Sequence, residues 1–126
     1  MDNVVDFQIP VDDMARAKKF YNSVFGWKLD DIPGMNYTSA ITVPIDEKHV
    51  PTHTGAINGG MMTRSGVFKA PVVTINVSDI DKAMQKVVKA GGKIAKEKQA
   101  IMDMAYLAYI EDTEGNITAL WQPIKK

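Results

Sequence analysis

Apolar residues recur along this chain with two periods, one typical of helices and one typical of strands, and each half contains both. In the first half, a helical stripe begins at Met14, and Asp12 or Asp13 supplies the N-cap. Gly26 follows the stripe, where a left-handed residue commonly ends a helix. The predicted helix has one apolar face, formed by Met14, Ala17, Phe20, Tyr21, Val24 and Phe25.

The second half contains a helical stripe with the same boundaries. Ser78 or Asp79 supplies the N-cap, and the pair Gly91 and Gly92 ends the helix. Its apolar face is formed by Ile80, Ala83, Met84, Val87 and Val88.

Segments rich in β-branched and aromatic residues predict four strands in each half. The first four span Val4–Pro10, Trp27–Leu29, Tyr37–Val43 and Gly55–Met62. The other four span Val72–Val77, Lys93–Ala95, Tyr106–Ile110 and Ile117–Trp121. The order in each half is βαβββ, which predicts an α+β fold.

The two halves also repeat their residues. The segment Ile9-Pro-Val-Asp-Asp-Met-Ala-Arg-Ala returns 66 positions later as Ile75-Asn-Val-Ser-Asp-Ile-Asp-Lys-Ala, and Met35-Asn-Tyr37 returns as Met104-Ala-Tyr106. Two copies are too few for a solenoid, so they predict paired modules within one domain, residues 1–126. We place module 1 at about residues 1–64 and module 2 at about 69–126, and expect a ligand at the seam between them.

Composition narrows the range of partners. The 126 residues are 45% hydrophobic, and Lys plus Arg and Asp plus Glu each number 15, so no basic excess favours nucleic acid or an anionic membrane. The chain has no cysteine, which excludes disulfides and thiolate chemistry. We see no signal-peptide pattern and no apolar run near the roughly 18 residues of a membrane span, and we expect a cytoplasmic protein.

Strand alternation predicts which residues of the paired first strands face the interior. Phe7 and Ile9 share one face and pack under the helix, which leaves Asp6 and Gln8 on the other face. On the matching strand of the second half, the inward side chains include Thr74 and Asn76.

The last hairpin adds aromatic residues to this predicted cavity. If its turn pairs Asp112 with Gly115, Tyr106 lies opposite Trp121 on the inward face. The repeat places Tyr37 at the position equivalent to Tyr106, and Met62 and Trp27 are further candidates for the pocket. An aromatic pocket with amide and carboxylate groups suits a planar or amphipathic small molecule, although the same aromatic residues could instead fill the barrel or a dimer seam.

Three segments resemble the vicinal oxygen chelate superfamily, also called the glyoxalase/bleomycin-resistance/dioxygenase superfamily. They are Phe7-Gln-Ile-Pro-Val-Asp-Asp-Met-Ala-Arg-Ala-Lys-Lys-Phe-Tyr-Asn-Ser-Val-Phe-Gly-Trp27, Gly55-Ala-Ile-Asn-Gly-Gly-Met61 and Tyr109-Ile-Glu-Asp-Thr-Glu-Gly-Asn-Ile117. Within it, the chain most resembles the branch related to lactoylglutathione lyase. The resemblance implies two βαβββ modules whose mixed sheet forms a curved, half-open barrel with the helices outside, usually in a homodimer.

Metal enzymes of this superfamily carry His, Glu or Gln on the first and last strand of each module. Carried over to this chain, those positions fall on Asp6, on residues 58–60, on Val72 and on Ala119. Only Asp6 is a good ligand, and Gln8 adds a second donor at most. We therefore predict no metal and no cofactor.

The sequence is compatible with three different functions. The first is a protein that binds a small organic molecule in a metal-poor aromatic cavity, as drug-binding members of the superfamily do. The second is a divalent-metal-dependent lyase or dioxygenase with an atypical shell of Asp6, Gln8 and a loop histidine, His49 or His53. The third is a dimerisation module without catalysis.

Overall fold

A computed structural model describes residues 1–124. Ten elements follow one another: β1 Val4–Val11, α1 Met14–Phe25, β2 Lys28–Asp31, β3 Tyr37–Ile41, β4 Asn58–Thr63, β5 Val72–Asn76, α2 Ile80–Lys89, β6 Lys93–Ile101, β7 Ala105–Glu111 and β8 Ile117–Pro123. They group into two compact units. We call Asp6–Pro71 the first module, and Met1–Val5 together with residues 72–124 the second module.

The first module is a four-stranded mixed sheet with one helix. Its strand order is β2-β3-β4-β1. The β1 and β4 strands run parallel, with Gln8 paired to Gly60, whereas β3 runs antiparallel to both β4 and β2. A parallel pair needs a long connection, and α1, β2 and β3 lie within it.

The second module repeats this arrangement in the order β5-β8-β7-β6. The β5 and β8 strands are parallel, with Thr74 paired to Ala119, and β7 is antiparallel to β8 and β6. Both modules therefore have the order βαβββ, and the predicted α+β fold class is confirmed.

Aspartate caps begin both helices, at the second of the two candidate positions in each case. The side chain of Asp13 accepts a hydrogen bond from the Arg16 backbone N–H at 3.0 Å, and Asp79 accepts one from Lys82 at the same distance. Gly26 has φ 75°, so it ends α1 in the predicted left-handed conformation.

The helices differ in how deeply they are buried. In the second module, Ile80 and Met84 of α2 belong to a buried cluster with Val77, Ala108, Ile110 and Leu120. In the first module, α1 has no buried residue. It contacts the sheet through aromatic rings instead, with Tyr21 stacked on Trp27 at 4.8 Å between centroids and Trp27 at 5.6 Å from Phe7.

The ends of several strands differ from the sequence prediction. The β6 strand extends to Ile101 rather than stopping at Ala95. Most of its added residues are polar and exposed, and an edge strand keeps such side chains in solvent while its backbone pairs with β7. The β4 strand begins at Asn58 rather than Gly55, because Gly55 has φ 84° and belongs to a turn.

The predicted register of the last hairpin is wrong by one residue. The Asp112 N–H donates to the carbonyl of Asn116 at 2.9 Å, whereas the Gly115 N–H makes only a long turn hydrogen bond to the Asp112 carbonyl, at 3.4 Å. Gly115 takes a left-handed φ of 82°. The Asp112 carboxylate fixes this three-residue loop by accepting hydrogen bonds from the N–H groups of Glu114 and Asn116, at 2.8 and 2.9 Å. Leu107 consequently lies opposite Trp121, and Tyr109 opposite Ala119.

Neither helix in the described residues combines the length and apolar character that crossing a membrane requires.

Candidate functional site: the helix-free sheet faces

Each module has one sheet face that packs against its helix and one that does not, and we call the second the helix-free face. On β1, Phe7 contacts Trp27 on the helix side, so alternation places Asp6 and Gln8 on the helix-free face. A side chain at Gly59 would also meet Phe7, which places the Gly59 position on the helix side and Gly60 on the other.

Tyr37 covers the helix-free face of the first module next to Gln8. Tyr37 pairs with Met62 in the β3–β4 register, and both point to this face. The Tyr37 ring lies so close to Gly60 that an added Cβ there would be 2.0 Å from the ring atoms Cζ and Oη. Gly60 pairs with Gln8 on the next strand, so the aromatic ring and the amide are neighbours on this face.

Two buried polar residues occupy equivalent positions on the helix-free faces of the two modules. Gln8 is 5% exposed and Thr74 is 1% exposed, and they are 66 positions apart, at the same place in the repeat. Polar side chains are rarely buried this deeply in a sheet unless they hydrogen-bond. The repeat therefore places a buried polar residue at the same position on the first strand of both modules.

The helix-free face of the second module combines polar and aromatic residues. Asn76 pairs with Trp121 across β5 and β8, and Leu107 pairs with Trp121 from the other side. Tyr109 lies beside Ala119 on the same face and is 7% exposed.

The prediction that Tyr106 shares a face with Trp121 is wrong. Tyr106 packs against the α2 core cluster together with Ile75 and Ile94, and the Lys98 Nζ lies 4.9 Å from the centre of its ring. The one-residue shift in the hairpin accounts for this result, because such a shift moves every side chain of a strand to the other face.

The residue that sequence reasoning missed is Tyr109. The signal was present in the turn, because Asp-Thr-Glu-Gly-Asn favours a three-residue loop with Gly115 in the left-handed region. The corrected register also changes the repeat alignment. Tyr37 corresponds to Leu107, and Ser39 corresponds to Tyr109, since each pair lies at the same place in its sheet.

The residues at the family's metal positions do not fit a metal. Asn58, paired with Asp6, uses its amide to hold the chain that leaves β3. Its Oδ1 accepts hydrogen bonds from the N–H groups of Thr42 and Val43, at 2.7 and 3.0 Å, and its Nδ2 donates to the carbonyl of Val43 at 3.3 Å. In the second module, Ala119 offers no donor atom.

The loop histidines do not complete such a shell. His49 and His53 are exposed; His49 has φ 62°, and the Nδ1 of His53 lies 3.2 Å from the hydroxyl of Thr52. Residues 1–124 contain no group of three or more His, Cys, Asp or Glu side chains that could hold a metal ion. No catalytic step through a metal follows from this arrangement.

The pKa values of Asp31 and Asp112 are lowered, and both carboxylates accept hydrogen bonds beside turns rather than on the helix-free faces. The hydrogen bond from the Thr38 hydroxyl, at 2.7 Å, and then the Lys18 ammonium lower the pKa of Asp31. Backbone hydrogen bonds from Asn116 and Glu114 lower the pKa of Asp112.

Comparison with known proteins gives the class to which this fold belongs. A sequence model of the Glyoxalase/Bleomycin resistance protein/Dioxygenase superfamily matches residues 3–120. A Mycobacterium bovis protein named "Putative glyoxylase CFP32" is 32% identical over an alignment of 127 positions, which covers 95% of this chain and 44% of that protein. A Didymella fabae protein named "Glyoxylase-like domain-containing protein" is 30% identical over an alignment of 118 positions, which covers 90% of this chain and 88% of that protein.

Among solved structures, methylmalonyl-CoA epimerase from Mycobacterium tuberculosis superposes with a TM-score of 0.61 at 15% identity, over 97% of this chain and 88% of that one. At this identity the likeness shows the fold alone. The chain belongs to the glyoxalase/bleomycin resistance/dioxygenase superfamily, as its sequence resemblance predicted. It spans less than half the length of the mycobacterial relative.

Proposed function

We propose that this chain binds a small, planar, uncharged or cationic organic molecule through the helix-free faces of its modules, without a divalent metal. The observation that carries the proposal is the pair of buried polar residues at equivalent positions, Gln8 and Thr74. Close to them lie large aromatic side chains, Tyr37 on one face and Trp121 on the other. Ligand sites commonly combine apolar area with a few such polar groups.

The distribution of charge favours an uncharged or cationic ligand. The strands β1, β3, β4, β5, β7 and β8 contain no lysine or arginine, and every basic strand residue lies in β2 or β6. Asp6 adds a carboxylate to the helix-free face of the first module. A phosphate or carboxylate ligand would meet no basic group on these six strands, so an anionic thioester such as methylmalonyl-CoA is disfavoured.

Aromatic and amide groups on these faces suit recognition of a planar molecule with hydrogen-bonding edges. The Tyr37 ring against Gly60 provides a flat surface, and the Gln8 amide beside it can both donate and accept. This arrangement supplies binding and orientation. It contains no nucleophile activated by a base, so we propose binding rather than covalent catalysis.

Thermal stability and tryptophan fluorescence test this proposal, with Trp121 as the single fluorescent reporter. The chain has two tryptophans, so the Trp27→Phe variant leaves Trp121 as the single tryptophan. We would screen a panel of neutral planar amides and aromatic amines, with coenzyme A as the anionic comparison. We expect members of the neutral or cationic panel to raise Tm and change the Trp121 emission, and coenzyme A to do neither.

Matched variants link any binding to the buried amide. Gln8→Met keeps the side-chain volume but removes the amide, and we expect it to weaken binding of a panel hit by about 10-fold or more, the value of one or two hydrogen bonds. Gln99→Met, on the exposed edge strand β6, is the control and should bind as the parent does. A panel without any stabilising compound, or equal binding by both variants, would contradict the proposal.

A further inference from the structure

We infer that a groove on the helix side of the first module binds a small aromatic zwitterion, of the class of the free aromatic amino acids. The groove has a volume of about 320 Å³ and lies between the end of β1 and the start of α1. We call it the outer groove, and the lining residues that matter here are Asp12, Asp13, Arg16, Phe20, Tyr21 and Arg64. It is separate from the helix-free faces and from the ligand proposed for them.

Two aromatic side chains form one wall of the outer groove. The Tyr21 ring is stacked on Trp27, with 4.8 Å between centroids, and this contact holds it against the helix. Phe20 meets Tyr21 edge to face at 5.2 Å and remains 53% exposed. The wall is therefore ordered before any ligand arrives, and the exposed surface of Phe20 is available to the ring of a ligand.

The Arg64 guanidinium is held at the outer groove by three hydrogen bonds. Its Nε donates to the Asp12 carboxylate at 3.0 Å, and its Nη2 donates to the carbonyl of Pro10 at 3.3 Å. Its Nη1 donates to the carbonyl of Lys69. A guanidinium has five N–H groups, so two remain that can donate to a carboxylate.

The charged residues of the outer groove carry both signs in equal number, which favours a zwitterion over an anion or a cation. The Asp13 carboxylate caps α1 through Oδ1, and its Oδ2 can accept from an ammonium group. Within residues 1–124, the exposed Arg16 guanidinium makes no hydrogen bond or ion pair, so it can bind a carboxylate. Residues three apart at the start of a helix are neighbours, so these two charges suit the ammonium and carboxylate that an amino acid carries on one carbon.

The second module has a groove at the equivalent place without this chemistry. A cavity of only about 100 Å³ lies beside the start of α2. The 66-residue repeat puts Lys86 at the position of Phe20 and Val87 at the position of Tyr21. The βαβββ module is thus built without an aromatic wall, so the wall of the outer groove is a property of that site rather than a demand of the fold.

Four related compounds test which groups of the ligand are required. L-phenylalanine has the ring and both charges, 3-phenylpropionate lacks the ammonium, 2-phenylethylamine lacks the carboxylate, and L-alanine lacks the ring. We would titrate each into ¹⁵N-labelled protein, and we expect L-phenylalanine to give saturable shifts of amide resonances in residues 9–21. Each of the other three should bind at least about 10-fold more weakly, because each has lost one of the three contacts.

Two variants locate the site. Arg16→Gln should weaken binding of L-phenylalanine by at least about 10-fold, since it removes a charge-assisted contact, and should leave binding of 2-phenylethylamine unchanged. Phe20→Ala should reduce the preference for L-phenylalanine over L-alanine. The matched control is Lys82→Gln, at the position in α2 equivalent to Arg16, and it should bind as the wild type does. Circular dichroism should confirm that every variant is folded.

The absence of saturable shifts with L-phenylalanine at millimolar concentrations would overturn the inference. So would equal affinity for 3-phenylpropionate, or an affinity for L-phenylalanine that Arg16→Gln leaves unchanged. Shifts confined to the helix-free faces would also overturn it, because they would place the amino acid elsewhere. None of these outcomes decides the function proposed above, whose test follows Trp121 and Gln8→Met with a different panel.

Discussion

Gly59 and Gly60 are adjacent in β4, but each lacks a side chain for a different reason. A Cβ at Gly59 would lie 2.2 Å from the backbone oxygen of Phe7, which cannot move without disturbing β1. A Cβ at Gly60 would instead meet the far end of the Tyr37 side chain, which can rotate away. The lack of a side chain at Gly59 allows β4 to pair with β1, and the lack of one at Gly60 leaves room for the Tyr37 ring.

The two glycines should therefore respond differently to substitution by alanine. We expect Gly59→Ala to lower the free energy of unfolding by about 1–3 kcal/mol, as overpacking against fixed atoms does. Gly60→Ala should be less destabilising, and Tyr37→Ala should remove most of its effect, because the collision is with that ring. Urea denaturation of Gly59→Ala, Gly60→Ala, Tyr37→Ala and the double variant Gly60→Ala/Tyr37→Ala measures these free energies. Additive effects of Gly60→Ala and Tyr37→Ala would contradict the coupling.

The Asp112 carboxylate gives the second prediction at this scale. Its pKa is lowered in the folded chain, so its contribution to stability is present above the unfolded pKa, near 3.8, and is lost as the pH falls through the folded value. Asp112→Asn should therefore lower the urea midpoint at pH 7, and the difference from wild type should shrink towards pH 3. Glu47→Gln, at an exposed loop position, is the control. A constant difference across this range would contradict the assignment.

At the scale of elements, the structure explains why β3 ends where it does. The N–H groups of Thr42 and Val43 donate to the side chain of Asn58 instead of to a neighbouring strand. The sequence predicted a strand through Val43, because Thr and Val favour strands wherever they occur. Asn58, whose side chain replaces a neighbouring strand as the acceptor, lies 15 or 16 residues further along the chain. Local sequence patterns therefore do not reveal it.

Removing that side chain should loosen the segment that follows β3. We expect Asn58→Ala to lower the free energy of unfolding by about 1–3 kcal/mol, since it leaves partly buried N–H groups without an acceptor. Asn58→Asp keeps the acceptor oxygen and should lose less. Asn36→Ala, which removes a single exposed hydrogen bond to Thr63, provides the comparison in thermal denaturation. Equal losses for Asn58→Ala and Asn36→Ala would contradict this role.

The sequence alone predicted both helices correctly, but it did not predict the register of the last hairpin. Both N-caps, the stripe of α2 and the left-handed Gly26 could be predicted, because they depend on residues within one or two turns of each other. The hairpin register depends on whether Asp112 pairs with Gly115 or Asn116. The turn residues favour the three-residue loop that pairs Asp112 with Asn116, whereas the prediction assumed the shorter loop, and this difference of one position exchanges the faces of Tyr106 and Tyr109.

At the scale of the whole molecule, the periodicity of apolar residues predicted the order of all ten elements, and three resembling segments predicted the superfamily. The candidate site was harder to predict than the fold. Asp6, Gln8, Thr74 and Asn76 lie on the helix-free faces, as alternation along single strands indicated. Tyr106 does not, because its position required the pairing of two strands to be known.

The two modules should also differ in local stability. The α2 helix contributes Ile80 and Met84 to a buried cluster, whereas α1 has no buried residue. Because local opening costs less where fewer apolar contacts are lost, we expect the backbone amides of α1 to exchange at least about 10-fold faster than those of α2. Hydrogen exchange measured by mass spectrometry checks this. Equal protection of both helices would contradict it.

The backbone oxygen of Asn3 accepts a hydrogen bond from the N–H of Asn76, at 2.9 Å, and residues Met1–Val5 group with the second module. On a ribosome, those five residues are synthesised before Asn76 and must wait for it before this hydrogen bond can form. The stretch from Asp6 to Pro71 can meanwhile assemble as soon as it leaves the exit tunnel. Translation order therefore separates Met1–Val5 from the second-module strands that they join, because those strands are synthesised only after the first module.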